Sequence, residues 1–350
     1  KLNKNNNFNF LITTVTLSSS QLIKKEFFNK KNILHRFFPI DKPKIVNKFI
    51  DGWSPDLAIF VDSEIWPNFI LEIKNKKIPL ILLNARITKK TFSRWIAIPK
   101  VSNIIFQAFD LCLSSSEESK KYLEQLNAKN IKYLGNLKLT YENKKNNLSM
   151  ENKNILKKKK YWCAVSTHEE EDLFCLRTHL NVKKKYEDLI TIIIPRHINR
   201  VRNIKLSCEK LKLRAQILSE DESINTNNEI IIINSYGITS DYLAFCKSVF
   251  IGKSMIKKLE HVGGQSPIEA AKLGCKIYHG PYVYNFQEIY DFLHKHGISE
   301  KILELNEFSN KLNLDFSTHN EIKEEKLKII NDLGKKILND TCEELDKIIN

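Results

Sequence analysis

At 350 residues the chain is longer than one ordinary hydrophobic core and suits two domains. Its 42% apolar content is that of a globular protein, and its formal charge of +15 favours an anionic partner: nucleic acid, an anionic membrane face or a phosphorylated glycolipid. No apolar run of about 18 residues is present to cross a bilayer, and the seven cysteines show no CxxC pair and no paired spacing with histidine, which argues for buried reduced thiols and against a disulfide framework or zinc site.

The first half alternates strand and helix signals. Strands are expected near Phe10–Val15, Asp56–Asp62, Pro79–Asn84, Asp110–Ser114 and Ile131–Gly135, with helices between them such as Trp66–Lys77 and Glu117–Asn127. This alternation predicts a doubly wound parallel α/β domain. From Glu142 to Lys160 the chain is rich in lysine and asparagine with no periodic apolar face, and it is the linker candidate. The second half repeats the pattern with strands at Tyr161–Ser166, Thr191–Pro195, Glu229–Asn234, Ser248–Ile251 and Cys275–Tyr278. Asn285–His296 reads as a helix, and the tail from Asn320 alternates charge with Ile and Leu at a helical period, packing one stripe. The expected domains are therefore 1–150 and 151–319, followed by a terminal helix over 320–350.

Two places in the second half carry chemistry. From Val249 to Gly280 the sequence reads as strand, glycine loop, helix, strand: Gly263-Gly264 lets backbone approach a ligand, and Ser266, Pro267 and Glu269 suit N-cap, N1 and N3. Such an N-terminus suits a phosphate, and a carboxylate one turn in suits ribose hydroxyls. Ser266 and Glu269 equally make an ordinary capping box. The second place is Arg196-His197, directly after the buried run Thr191–Pro195, where cations at a strand's carboxyl end meet phosphate or carboxylate. In the first half Asp62 and Glu64 end an apolar run, on one face if the strand continues through them; alternatively Asp62 caps the helix opening at Trp66-Pro67.

Eight motifs in this order resemble the 3-deoxy-D-manno-octulosonic acid (Kdo) transferases of lipopolysaccharide synthesis. They are DSEIWPN at Asp62–Asn68, PLILLNAR at Pro79–Arg86, GNLK at Gly135–Lys138, STHE at Ser166–Glu169, IIIPRH at Ile192–His197, FIGKS at Phe250–Ser254, GGQSPIEAA at Gly263–Ala271 and HGPYVYNFQEI at His279–Ile289. The resemblance implies a GT-B type glycosyltransferase, with two Rossmann-like doubly wound domains facing a cleft and the terminal helix crossing back to the first. It implies inverting, metal-independent transfer of Kdo from CMP-Kdo to a lipid A precursor (lipid IVA), with no cofactor. The setting it implies is an anionic membrane surface, the cytoplasmic face of the bacterial inner membrane. Nucleic acid is not an expected partner, because no binding motif or interleaved array of aromatic and basic residues accompanies the charge.

By the same resemblance Asp62 and Lys138 stabilise the transition state. Arg196, His197, the backbone of Tyr236, Gly237 and Ile238, and the helix start at Ser266, Pro267 and Ile268 hold the nucleotide, with Glu269 on the ribose. Glu64, Asn84, Arg86, Ser166 and His168 are cleft candidates. The chain departs from the family's usual residues at Asp62 (glutamate), Glu170 (glycine), Ile238 (glutamate), Lys253 (glycine) and Ser266 (asparagine). The first strand corresponds to the family's second, so the hydrophobic anchor and the glycine-glutamate motif that supplies the general base are expected upstream of Lys1. The expectation is a nearly silent enzyme fragment, the alternative being one that only binds nucleotide or lipid.

Overall fold

A computed structural model describes residues 8–27, 29–140, 146–318 and 323–349. The chain divides into two compact units, Lys1–Leu137 with Lys335–Asn350, and Lys138–Gly334. The sequence placed the corresponding boundary at 150/151. None of the described helices is long and apolar enough to cross a membrane.

The first unit holds β1 (Phe10–Thr14) paired with β2 (Ile33–Phe37), and a four-stranded sheet of β3 (Ala58–Val61), β4 (Leu80–Ala85), β5 (Leu111–Ser114) and β6 (Ile131–Tyr133) in chain order. All pairings are parallel. The two-residue period of a strand sorts β4 onto two faces. Leu80 and Leu82 join Phe69, Phe106 and Leu123 in one core, while Ile81 joins Leu111, Leu113 and Leu345 in another. Leu345 comes from the terminal helix Lys323–Ile349, whose Glu344 also pairs with Lys132 of β6.

The second unit is one seven-stranded parallel sheet of β7 (Tyr161–Thr167), β8 (Ile190–Pro195), β9 (Ala215–Leu218), β10 (Ile230–Ile233), β11 (Ser248–Ile251), β12 (Lys276–His279) and β13 (Ser299–Lys301), ordered β13-β12-β11-β7-β8-β10-β9. The chain enters at β7, builds outward through β8 and β9, inserts β10, then restarts on the other flank at β11. Between β7 and β11 the winding reverses, which is where open α/β sheets bind ligands. Every residue of β8, β10 and β11 is buried, as their unbroken apolar runs require. Trp162, Ile193, Phe250, Tyr278 and Phe308 form the centre of this core.

Three expectations need correction. Glu142–Lys160 is not simply a linker: Met150–Lys158 is a helix capped by Ser149, docked by the amide of Asn152 on Glu222 O at 3.0 Å and Ile224 N at 2.8 Å, with Leu156 buried. A polar grip of this kind leaves no apolar stripe to read; Glu142–Lys145 lie outside the described residues. Strand β3 stops at Val61 because Asp62 turns left-handed (φ 58°), so alternation does not set Asp62 and Glu64 on one face. Finally, β2, β9 and β13 were not foreseen. Each lies at the edge of its sheet, half exposed, with polar residues such as His35, Arg36, Gln216 and Glu300 breaking the apolar run.

Candidate functional site

The turns after β7, β8 and β11 meet at the reversal point of the second unit. After β7, Ser166 adopts φ 57°, and the helix Glu169–Lys183 starts with His168 at its N-cap. His168 Nδ1 lies 3.2 Å from Ser166 O. A carbonyl only accepts, so Nδ1 carries the proton and Nε2 is left as the acceptor of the neutral ring. Burial lowers the His168 pKa, with Glu171 pulling it back up and Arg200 and Lys253 reinforcing the fall. Across from it, after β8, His197 presents its ring 6.1 Å away at 73°. Arg196 beside it is exposed, and its N–H donates to Thr167 O at 3.2 Å. The structure thus brings His168, Arg196 and His197 together at the carboxyl ends of neighbouring strands, an arrangement suited to an anion.

A second group lies after β10 and β11. Tyr236 is exposed and Gly237 has φ 80°, a conformation that glycine adopts without cost, in a turn leading to the short helix Thr239–Leu243. The helix Ile268–Lys272 follows the glycine loop, one residue later than the sequence suggested, with Pro267 at its cap position. Ser266 Oγ accepts the Ile268 N–H at a long 3.4 Å. Glu269 is exposed by area, yet the protein crowded around its carboxyl raises its pKa, against a hydrogen bond from Ser240. Glu269 therefore lies near Ser240 of the helix that follows the Tyr236–Ile238 turn.

In the first unit, Asn84 (φ 53°, buried) donates through Nδ2 to Asp62 Oδ1 at 2.5 Å and accepts the Leu137 N–H at 2.9 Å. Arg86 N–H donates to Asp62 O at 3.1 Å, and Ser63 Oγ to Arg86 O at 2.7 Å. Asp62 is thus fixed by Asn84 and is not the cap of the following helix. Asp41 fills that role, its carboxylate accepting from Asn68 N at 3.2 Å and Phe69 N at 3.0 Å. Glu64 is engaged with Trp66 Nε1 at 2.6 Å. Lys138 is the first residue of the second unit and is exposed, in the helical turn Leu137–Thr140; in that unit Leu139 O accepts from the buried Lys272 Nζ at 2.8 Å.

Sequence reasoning missed Glu171, Arg200 and Asp172. Arg200 donates to Thr167 O at 2.9 Å and pairs with Asp172, whose pKa burial pushes up to about 6 against the pull of Arg200. As an acid in the first turn of its helix Glu171 reads as a structural cap, which hides its partners beyond residue 250, and Arg200 and Asp172 meet only in the fold. Among the described residues no group of three or more His, Cys, Asp or Glu is placed to hold a metal ion.

Residues 1–141 match the family model described as 3-deoxy-D-manno-octulosonic-acid transferase (kdotransferase). The chain is 29% identical over 341 residues to the 3-deoxy-D-manno-octulosonic acid transferase of Rickettsia prowazekii, covering 95% of this chain and 72% of that protein. To the transferase of the same description in Rickettsia typhi it is 30% identical over 283 residues, covering 79% of this chain but only 58% of that protein. Among solved structures it is similar to a putative UDP-N-acetylglucosamine 2-epimerase from Listeria monocytogenes, with a TM-score of 0.60 and 13% identity over 93% of this chain and 87% of that one. At that identity the likeness shows the fold alone, two Rossmann-like domains of GT-B type.

Proposed function

The chain belongs to the Kdo transferase family, and from that premise we propose that it serves transfer of Kdo from CMP-Kdo to the lipid A precursor lipid IVA, at the cytoplasmic face of the inner membrane. Transfer inverts the anomeric carbon and uses no metal or cofactor. The observation that carries the reading is the cluster of Arg196, His197 and the acceptor nitrogen of His168 where the second sheet reverses its winding.

In this reading the CMP phosphate sits on Arg196 and His197 through charge-assisted hydrogen bonds. The backbone of Tyr236, Gly237 and Ile238 follows the nucleotide, the Ser266–Ile268 helix start meets it, and the Glu269 carboxylate accepts from the ribose hydroxyls. An acceptor hydroxyl of the lipid attacks the anomeric carbon from the face opposite the phosphate. Its oxygen–carbon bond forms as the carbon–phosphate oxygen bond breaks and CMP leaves with the electron pair. Asp62, held by Asn84, and Lys138 stabilise the developing charge. The hydroxyl proton goes to a general base. We give that role to none of the described carboxylates: Glu64, the nearest alternative in sequence, is engaged with Trp66.

The test is transfer of radiolabelled Kdo from CMP-Kdo to lipid IVA by the protein and by its Asp62→Ala and Lys138→Ala variants. Loss of a group that stabilises developing charge lowers rate by about 10²–10³, so both variants are expected to be slow. Unchanged transfer by both would remove Asp62 and Lys138 from the transition state. No product from any form, with CMP still bound, would reduce the protein to nucleotide binding without turnover.

A further inference from the structure

We propose that Glu171 is the positioning residue of the donor site, an inference that rests on the donor-site reading above: its carboxylate locks the turn after β11 onto the turn after β7 and so fixes how His168, Arg196 and His197 face the nucleotide phosphate. Glu171 is buried, and both of its oxygens are saturated by main-chain donors. Oε2 accepts from His168 N at 3.0 Å and Lys253 N at 2.7 Å; Oε1 accepts from Ser254 N at 2.8 Å and Met255 N at 2.9 Å. An ordinary capping carboxylate needs only the first of these. The other three come from a segment more than eighty residues away, in the turn just after β11, the strand that flanks β7 on the far side of the winding reversal.

Successive N–H groups turned toward one point form an anion-binding concavity. Here Lys253 adopts φ 58°, and the concavity of residues 253–255 is filled by the protein's own carboxylate. Backbone that would otherwise draw a phosphate is thereby occupied, and an incoming anion is left the cations on the other side of β7. The fit is close: a Cβ on Gly252 would lie 2.8 Å from Glu171 Oε2 and 2.6 Å from Ser166 O. Thr167 O extends the lock to the next turn, because Arg196 N and Arg200 Nη1 both donate to it. Three turns are thus held in one geometry, with Glu171 joining the two on either side of the reversal.

Glu171→Gln replaces one acceptor oxygen by a donor that faces two N–H groups; Glu171→Asp keeps the charge and draws it back by a methylene. Both are compared with the wild-type chain by CMP calorimetry, thermal melting and ¹⁵N NMR of the His168 ring. Hydrogen bonds to a charged group are stronger than those between neutral groups, so Glu171→Gln is expected to weaken CMP binding by about tenfold or more and to displace the His168 ring signals. Glu171→Asp recovers part of both. If Gln or, should Gln fail to fold, Asp gives wild-type CMP affinity and unmoved ring signals, the assignment is overturned. If the wild type binds no CMP while the Gln or Asp variant still displaces the ring signals, the donor-site reading fails and the positioning role stands.

Discussion

Glu269 shows how one carboxylate separates a helix-capping role from a ligand-binding one. Its backbone position, three residues after Ser266, fits a capping box, but its side chain meets Ser240 and its pKa is raised by the protein around it, partly offset by that hydroxyl. A carboxylate offers about four lone-pair sites, enough to accept from two ribose hydroxyls as well as from Ser240. Glu269→Gln is therefore expected to weaken CMP binding roughly 10–100-fold, the size of one hydrogen bond to a charged group, while the melting temperature changes little; a lowered melting temperature with intact binding would return Glu269 to capping. Arg196, His197, Ser266 and Glu269 could be named as candidates from the sequence because each lies beside a motif or strand end. Glu171 and Asp41 could not, since Glu171 binds Lys253–Met255 and Asp41 caps a helix twenty-seven residues on. Sequence gives a carboxylate's neighbours along the chain and not those folding brings to it.

At the scale of elements, the helix Glu169–Lys183 serves two ends. Its N-terminus supplies His168 and Glu171; further along, His179 is wholly buried against the start of β8, with Nδ1 2.8 Å from Thr191 Oγ1. Burial lowers the His179 pKa to about 4, although Glu229, itself paired with Lys183 and Arg214, pulls it upward. A histidine depressed from 6.5 in this way binds fewer protons folded than unfolded. Its stabilising contribution is full above the unfolded value and is lost as pH falls from about 6.5 toward 4. Between pH 7.5 and 4.5 the wild type is expected to lose about 2–3 kcal/mol more than a His179→Gln variant, measured by thermal or urea unfolding; equal losses would contradict it. Among elements, the buried strands were read from their unbroken isoleucine runs, β10 (Ile230–Ile233) most plainly. The edge strands β2 and β13 were not, because half-exposed backbone pairing asks little of side chains.

At the scale of the whole chain, family and fold were legible because eight motifs fall in order, each at a strand end or loop. The terminal helix, which the resemblance expects to cross back to the first domain, places Leu345 in a core of the first unit with Ile81, Leu111 and Leu113, although it begins in residues grouped with the second. The central claim is that the second sheet's reversal point is a CMP site built on Arg196 and His197. Calorimetric titration of CMP into the 350-residue chain and its Arg196→Ala variant tests this most directly. The wild type is expected to bind, and the variant to bind about tenfold or more weakly for loss of a charge-assisted phosphate contact. Equal affinity in the two proteins would contradict it.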